Sequence, residues 1–245
     1  MKELKEAKWK TITGLLITGI TGASLPFLVD YLGFLIEQMA VPEWARSVLG
    51  EQLGNYPLYL WSNWYGKNLL QFSLAFAVIM AGPLIAGERS RNTLEFLASK
   101  PLSRVQIILT KAAAGAVSLG VIILASTVIT LVASYAAGRP VPVVWFMSGF
   151  FAQYAGALVF FNLALLLSTR SDDGLKAAVI AGGIALLMFA AEWVAPLRGR
   201  TIIWMMAASR SFITGEVSFG HIFFMLLLAS GFLWAALSAF RQSDV

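Results

Sequence analysis

Along the 245 residues, long apolar runs alternate with short polar clusters. The run from Thr11 to Leu35 carries one charge, Asp30. The runs from Asn68 to Gly87 and from Val141 to Thr169 carry none. The run that ends at Gly138 is uncharged from Ala112 onward. A fifth meets Glu192 near its end, and a sixth contains the single histidine, His221. Each reaches the roughly 20 residues that a helix needs to cross a bilayer. None alternates apolar and polar positions as a membrane barrel would. The pattern predicts an all-α membrane protein with six transmembrane helices, near 11–35, 68–87, 106–138, 141–169, 175–196 and 218–240. No repeat, low-complexity tract or linker divides it, so residues 1–245 read as one transmembrane domain.

Composition agrees. The chain is 58% hydrophobic and 13% charged, about half the charged fraction of a soluble domain. Mean hydropathy is +0.76. These values exclude an ordinary globular enzyme. Cysteine is absent, which removes disulfides, thiolate nucleophiles and thiolate metal sites.

The net charge of +5 resembles that of a nucleic-acid binder, but the charges sit at the ends of the apolar runs, so no nucleic-acid partner is expected. Lipid headgroups and the positive-inside rule account for them. With the N-terminus inside, twelve basic residues are internal: Lys2, Lys5, Lys8, Lys10, Arg89, Arg91, Lys100, Arg104, Lys111, Arg170, Lys176 and Arg241. Six are external: Arg46, Lys67, Arg139, Arg198, Arg200 and Arg210. The bias places both termini in the cytoplasm of a multi-pass protein of the cell membrane. Trp44, Trp61, Trp64, Trp145, Trp193 and Trp204 fall in or beside the outer segments, as expected for interfacial indoles, with packing as the alternative for one or two.

The opening "MKELKEAKWK" and the run after it are too long for a signal core and lack a clear cleavage site. They read as an N-terminal interfacial helix followed by a retained first crossing. The outer stretch between the first two runs is read as lying partly on the membrane surface. In the outer stretch between the last two, Thr201 to Ala208 is apolar but too short to span. It is expected to be re-entrant or interfacial, with its backbone sheltered.

The polar stretch "GERSRNTLEFLASKPLSRVQ", Gly87 to Gln106, stands between the second and third runs. Asn92 with Glu95, and Ser103 with Gln106, have capping-box spacing. Pro101 biases Lys100 away from helical backbone. The reading is helix, break, helix: a short helix over about Thr93 to Ser99, roughly 10 Å long, then the start of the third crossing. Leu94 and Leu97 share one face. From the residues alone, this is either a capped loop with a solvated face or a docking surface for a partner.

"GERSRNTLEFLASKPLSRVQIILTK" resembles the cytoplasmic loop of the ABC type 2 permease family, the membrane subunits of ATP-driven exporters. Gly87, Glu88, Arg89, Arg91, Thr93, Leu94, Glu95, Leu97, Pro101, Ser103, Arg104 and Lys111 occupy the places of that family's pattern, with Asn92 where glycine is more usual. The close match covers about 25 residues. The resemblance implies that the short helix is a coupling helix seated in a separate ATPase. Its ATPase-contacting residues would be Glu88, Arg91, Thr93, Leu94, Glu95, Leu97 and Pro101. It further implies two ATPase copies, a second permease chain, identical or related, and export driven by ATP and Mg held by the partner. This chain has no GxxxxGK[ST] pattern and is expected to bind no cofactor and to have no catalytic or metal residues of its own.

Other residues have plainer readings. Gly19, Gly22, Gly182 and Gly183 permit close helix approach, and with Asn162 they are candidates for a dimer interface or transport path. Gln153, Tyr154 and Asn162 suit hydrogen bonds between helices. Asp172 or Asp173 suits the N-cap of the fifth crossing. Asp30 and Glu192, near outer helix ends, are either functional acids or interfacial ones. An ion-coupled secondary transporter is the alternative function, but it would need ionisable groups at mid-membrane, and these are nearly absent.

Overall fold

The computed structural model describes residues 2–38, 42, 43, 50, 53–90 and 103–242, with backbone alone for 2–7, 37 and 104. Among them, six helical spans are long and apolar enough to cross a membrane. The chain is a multi-pass, all-α membrane protein. An even number of crossings puts both ends of the described chain at one end of the bundle, called here the near end; the other is the far end.

Helix α1, Lys2–Gln38, holds the first crossing. The N-terminal stretch read as an interfacial helix is helical and continuous with that crossing through Lys10. The reason is local: residues 2–10 are mostly good helix formers and contain no proline or glycine.

The second crossing is longer than expected. It runs over Tyr56–Ser90 as α2 (Tyr56–Asn63), a π-helical turn (Trp64–Asn68), α3 (Leu69–Ala81) and α4 (Pro83–Ser90). Residues 56–67, read as part of an outer surface stretch, are helical, and Tyr59, Leu60, Trp61, Trp64 and Tyr65 are buried. Trp61 and Trp64 are therefore packing residues rather than interfacial ones. Periodicity could not show this, because a run of aromatic and amide residues scores as weakly apolar while its rings still fill a core.

The third crossing, α5 (Arg104–Ala136), opens on the expected capping box. The Gln106 amide donates to Ser103 Oγ at 3.2 Å, and the Ser103 amide donates to Gln106 Oε1 at 2.9 Å. The fourth, α6 (Val143–Arg170), packs against every other crossing except the first with an extensive contact, most along the sixth. The fifth, α7 (Gly174–Ala191), stops short of the expected Pro196. There the Glu192 carboxylate accepts from the Gly199 amide at 3.0 Å and from the Thr201 hydroxyl, which turns the chain back.

Two short helices follow, α8 (Ile202–Met206) and α9 (Ser209–Thr214). Ile202, Ile203 and Met206 are buried, and α8 packs on α6. This is the apolar segment read as re-entrant or interfacial, and its backbone is sheltered by protein. The sixth crossing is α10, Phe219–Gln242.

At the far end an aromatic cluster joins these elements. The Trp61 ring lies 4.7 Å from Tyr65, 4.8 Å from Trp145 and 5.6 Å from Phe212. Its indole N–H donates to the Ala207 carbonyl at 3.0 Å, beside Ala208, whose left-handed backbone (φ 50°) turns α8 into α9. The Tyr65 hydroxyl donates to the Phe146 carbonyl at 2.8 Å. Such rings combine large apolar burial with a polar edge that must find a partner.

Candidate functional site

The near end of the second crossing is built around a break. Pro83 has no N–H and cannot continue the hydrogen-bond ladder of α3. The Ile85 and Ala86 amides of the new helix instead donate to Ser168 Oγ, at 3.1 and 3.0 Å. A serine on the fourth crossing thus caps a helix on the second. Gly82 and Gly174 make the contact possible. A Cβ on Gly174 would lie 2.6 Å from Pro83 Cα, and one on Gly82 would lie 2.8 Å from the Gly174 carbonyl oxygen. The elbow therefore sits directly against the first turn of α7.

Helix α4 then presents two charges in succession. Glu88 turns inward, where its carboxylate accepts from Lys111 Nζ of α5 at 2.8 Å. Both are buried, at 8% and 3% exposure. A buried pair costs much desolvation, and losing one partner costs more than the pair contributes, because a charge is then stranded. Arg89 turns toward the turn between α6 and α7. It donates to the Ser171 carbonyl at 2.8 Å and to the Thr169 carbonyl at 3.3 Å, and lies 3.5 Å from Asp172. Asp173 caps α7 by accepting from the Leu175 amide at 2.8 Å. Of the two aspartates proposed for that cap, Asp173 makes it and Asp172 faces Arg89.

Residues 88 and 89 thus fix the start of the loop to crossing three and to the turn before crossing five. Ser103 and Gln106 fix its end. Of the residues expected to contact the ATPase, Glu88 alone lies inside the described region, and it is bonded within the bundle. Arg91, Thr93, Leu94, Glu95, Leu97 and Pro101 lie outside the described residues.

The remaining candidates separate into two groups. Gly19 and Gly22 face α5 of the same chain. A Cβ on Gly22 would lie 2.0 Å from Thr130 Oγ1 and 2.8 Å from the Trp64 ring, and one on Gly19 would lie 3.2 Å from Ile129. Asn162 donates to the Ala229 carbonyl of α10 at 3.0 Å. Gly182 and Gly183 are different: among the described residues nothing lies within 4 Å of a Cβ built on either. They line an apolar groove of 610 Å³ between α3 and α7.

Gln153 on α6 ties the interior together. Its amide nitrogen donates to the Met206 carbonyl at 2.9 Å, and its oxygen accepts from the Ser73 hydroxyl at 2.7 Å and from the Leu70 amide at 3.2 Å. The Leu70 amide follows directly on the π-helical turn, where the register of backbone bonds changes. The Tyr154 hydroxyl donates to the Ala116 carbonyl at 3.0 Å. Asp30 pairs with Arg139 at the far end, where the guanidinium also lies 5.5 Å from the centre of the Tyr56 ring. His221 packs edge-on to Trp204. Ser168 escaped the sequence reading, since a serine in the last turn of a helix carries no signal that it caps another.

Residues 69–245, from α3 onward, match the family model described as ABC-2 family transporter protein. The chain belongs to that family. No curated protein matches it. As an ABC-2 permease it is a membrane transport subunit, and permeases of this family work with an ABC ATPase. Glu88, Arg89 and Lys111 belong to the part of this permease whose sequence resembles the family's coupling loop.

Proposed function

We propose that this permease subunit couples ATP hydrolysis by a separate ABC ATPase to export of a substrate across the cell membrane. The near end faces the cytoplasm, with both termini there, as the lysine and arginine distribution favours. The segment 91–102 docks in the ATPase through Arg91, Thr93, Leu94, Glu95, Leu97 and Pro101. Two ATPase copies bind ATP and Mg and act on two permease chains. The single observation that carries this reading is the frame of Glu88–Lys111, Arg89 and Ser168, which gives the loop a stiff base on three crossings. A push on the loop is then delivered to crossings two, three and four together instead of being absorbed in a flexible connection.

The test is co-purification. The protein, expressed with the gene products encoded beside it, is expected to bring down an ATPase. Changing Glu95 and Leu97 together is expected to lose that ATPase while leaving the permease in the membrane. Recovery of an intact complex from the double variant, or no ATPase with the unaltered chain, overturns the coupling reading.

A further inference from the structure

The Glu88–Lys111 pair is shut inside the bundle, whereas the Asp30–Arg139 pair opens onto a cleft. The Asp30 side chain is 76% exposed and that of Arg139 28%. The cleft, of 730 Å³, lies between the last turns of α1, the start of α2 and the turn that joins α5 to α6. That is the size of a small-molecule site, roughly 300–1,000 Å³. Beside the ion pair and Tyr56, its walls are apolar, with Val29, Phe34, Leu53 and Pro57. Arg139 is held in place. Its carbonyl accepts from the Ser134 hydroxyl, which is bonded in turn to the Tyr56 hydroxyl, and its guanidinium lies over the Tyr56 ring. Among the described residues, one of its five guanidinium N–H groups is hydrogen-bonded, to Asp30. Depth along α1 places the cleft in the bilayer. Asp30 stands 20 residues after Lys10, the last charge of the N-terminal flank. At 1.5 Å per residue that is about 30 Å, the thickness of the hydrocarbon core. Phe27, Tyr31 and Phe34 around it are exposed. The cleft therefore opens at the far headgroup level, beside a lipid-facing helix.

The geometry points to the cleft as a binding site for a phospholipid of the far leaflet whose headgroup carries a phosphate and a primary ammonium, that is, phosphoethanolamine. The phosphate accepts from the remaining N–H groups of Arg139, in charge-assisted bonds. The ammonium donates to the exposed Asp30 carboxylate. That carboxylate selects the headgroup. Arg139 alone would take any phosphate, but Asp30 repels a net-anionic headgroup such as phosphoglycerol and attracts a cation. A trimethylammonium has no N–H to donate and relies on aromatic faces, and the Tyr56 face is already covered by Arg139. Gly33, one turn beyond Asp30, and Gly54 keep the cleft open: among the described residues nothing lies within 4 Å of a Cβ built on either. The acyl chains then run down the exposed face of α1. This site stands whichever way the chain is inserted and does not depend on the transport reading.

The test is a titration of the full chain, delipidated in detergent, with bound ligand counted by native mass spectrometry. The probes are short-chain phosphatidylethanolamine, phosphatidylcholine and phosphatidylglycerol, and free phosphoethanolamine. Phosphatidylethanolamine is expected to bind about tenfold more tightly than the other two lipids. Free phosphoethanolamine is expected to bind more weakly than its lipid, because it has no chains to lie on α1. Asp30→Asn is expected to erase the preference for ethanolamine, and Arg139→Gln to weaken all three lipids about tenfold. Gly33→Leu fills the cleft without touching either charge and is expected to abolish the preference at an unchanged thermal midpoint. Glu216→Gln removes another exposed far-end acid and is expected to bind as the original chain does. Three results overturn the proposal: equal binding of the three lipids, free phosphoethanolamine bound as tightly as its lipid, or a G33L chain that keeps the ethanolamine preference. If R139Q does not fold, D30N and G33L decide the matter.

Discussion

The two ends of the bundle are held by opposite chemistries. At the near end a buried ion pair, an arginine on backbone carbonyls and a serine cap bind crossings two, three, four and five. At the far end crossings two and four and the short helices α8 and α9 meet through Trp61, Tyr65, Trp145, Phe146 and Phe212, with neutral hydrogen bonds at the ring edges, while the ion pair of that end, Asp30–Arg139, lies outside the cluster with its carboxylate exposed. Charged contacts are directional and fail sharply when one partner is lost. Aromatic packing is spread over many contacts, so its cost follows the volume removed. The near end is thus built to fix the helix ends on either side of residues 91–102. The far end is built to hold helices together.

The largest expected break is at the near end. Lys111→Met strands the Glu88 carboxylate and should cost about 3–5 kcal/mol, seen as a large drop in thermal midpoint in detergent. Adding Glu88→Gln should restore much of it, and a double variant no better than the single would show that Lys111 acts through other contacts.

At the far end, Trp61→Phe keeps a ring but leaves the Ala207 carbonyl without its indole donor. About 1–3 kcal/mol is expected, with no rescue by any charge change. The glycines sharpen the contrast between filled and open surfaces. Gly22→Ala pushes a methyl into Thr130 and Trp64 and should cost about 1–3 kcal/mol, whereas Gly183→Ala should leave the midpoint of the detergent-solubilised chain unmoved. The smallest effect belongs to the exposed partner of the arginine clamp. Asp172→Asn should leave stability unchanged, since its side chain is 95% exposed and Arg89 keeps its carbonyl bonds. A clear loss there would mean the clamp depends on charge more than on backbone.

The near end was legible in part because its signals are local. Ser103 with Gln106 is a spacing of three on one helix turn, and Pro101 acts on its immediate neighbour. Glu88, Arg89 and Lys111 belong to a contiguous pattern that resembles a known loop. Their partners were not legible: nothing near Ser168 indicates that it serves amides 83 and 82 positions away in sequence. The far end was misread for the converse reason. Tryptophans near a helix end suit an interface or a core equally well, and only neighbours brought from crossings one, three and four and from α8 and α9 decide between them.

By itself, the sequence determined six apolar crossings, their helical form, the capped start of crossing three and the family. Each follows from composition, period or adjacent residues, which act within a turn or two of one helix. Tertiary structure alone decided which way Glu88 and Arg89 turn, that Trp61 and Trp64 are core, and that Gly22 is filled while Gly183 is open among the described residues. Those outcomes depend on which crossings pack side by side, and in a chain where almost every face is apolar, hydropathy does not distinguish one neighbour from another.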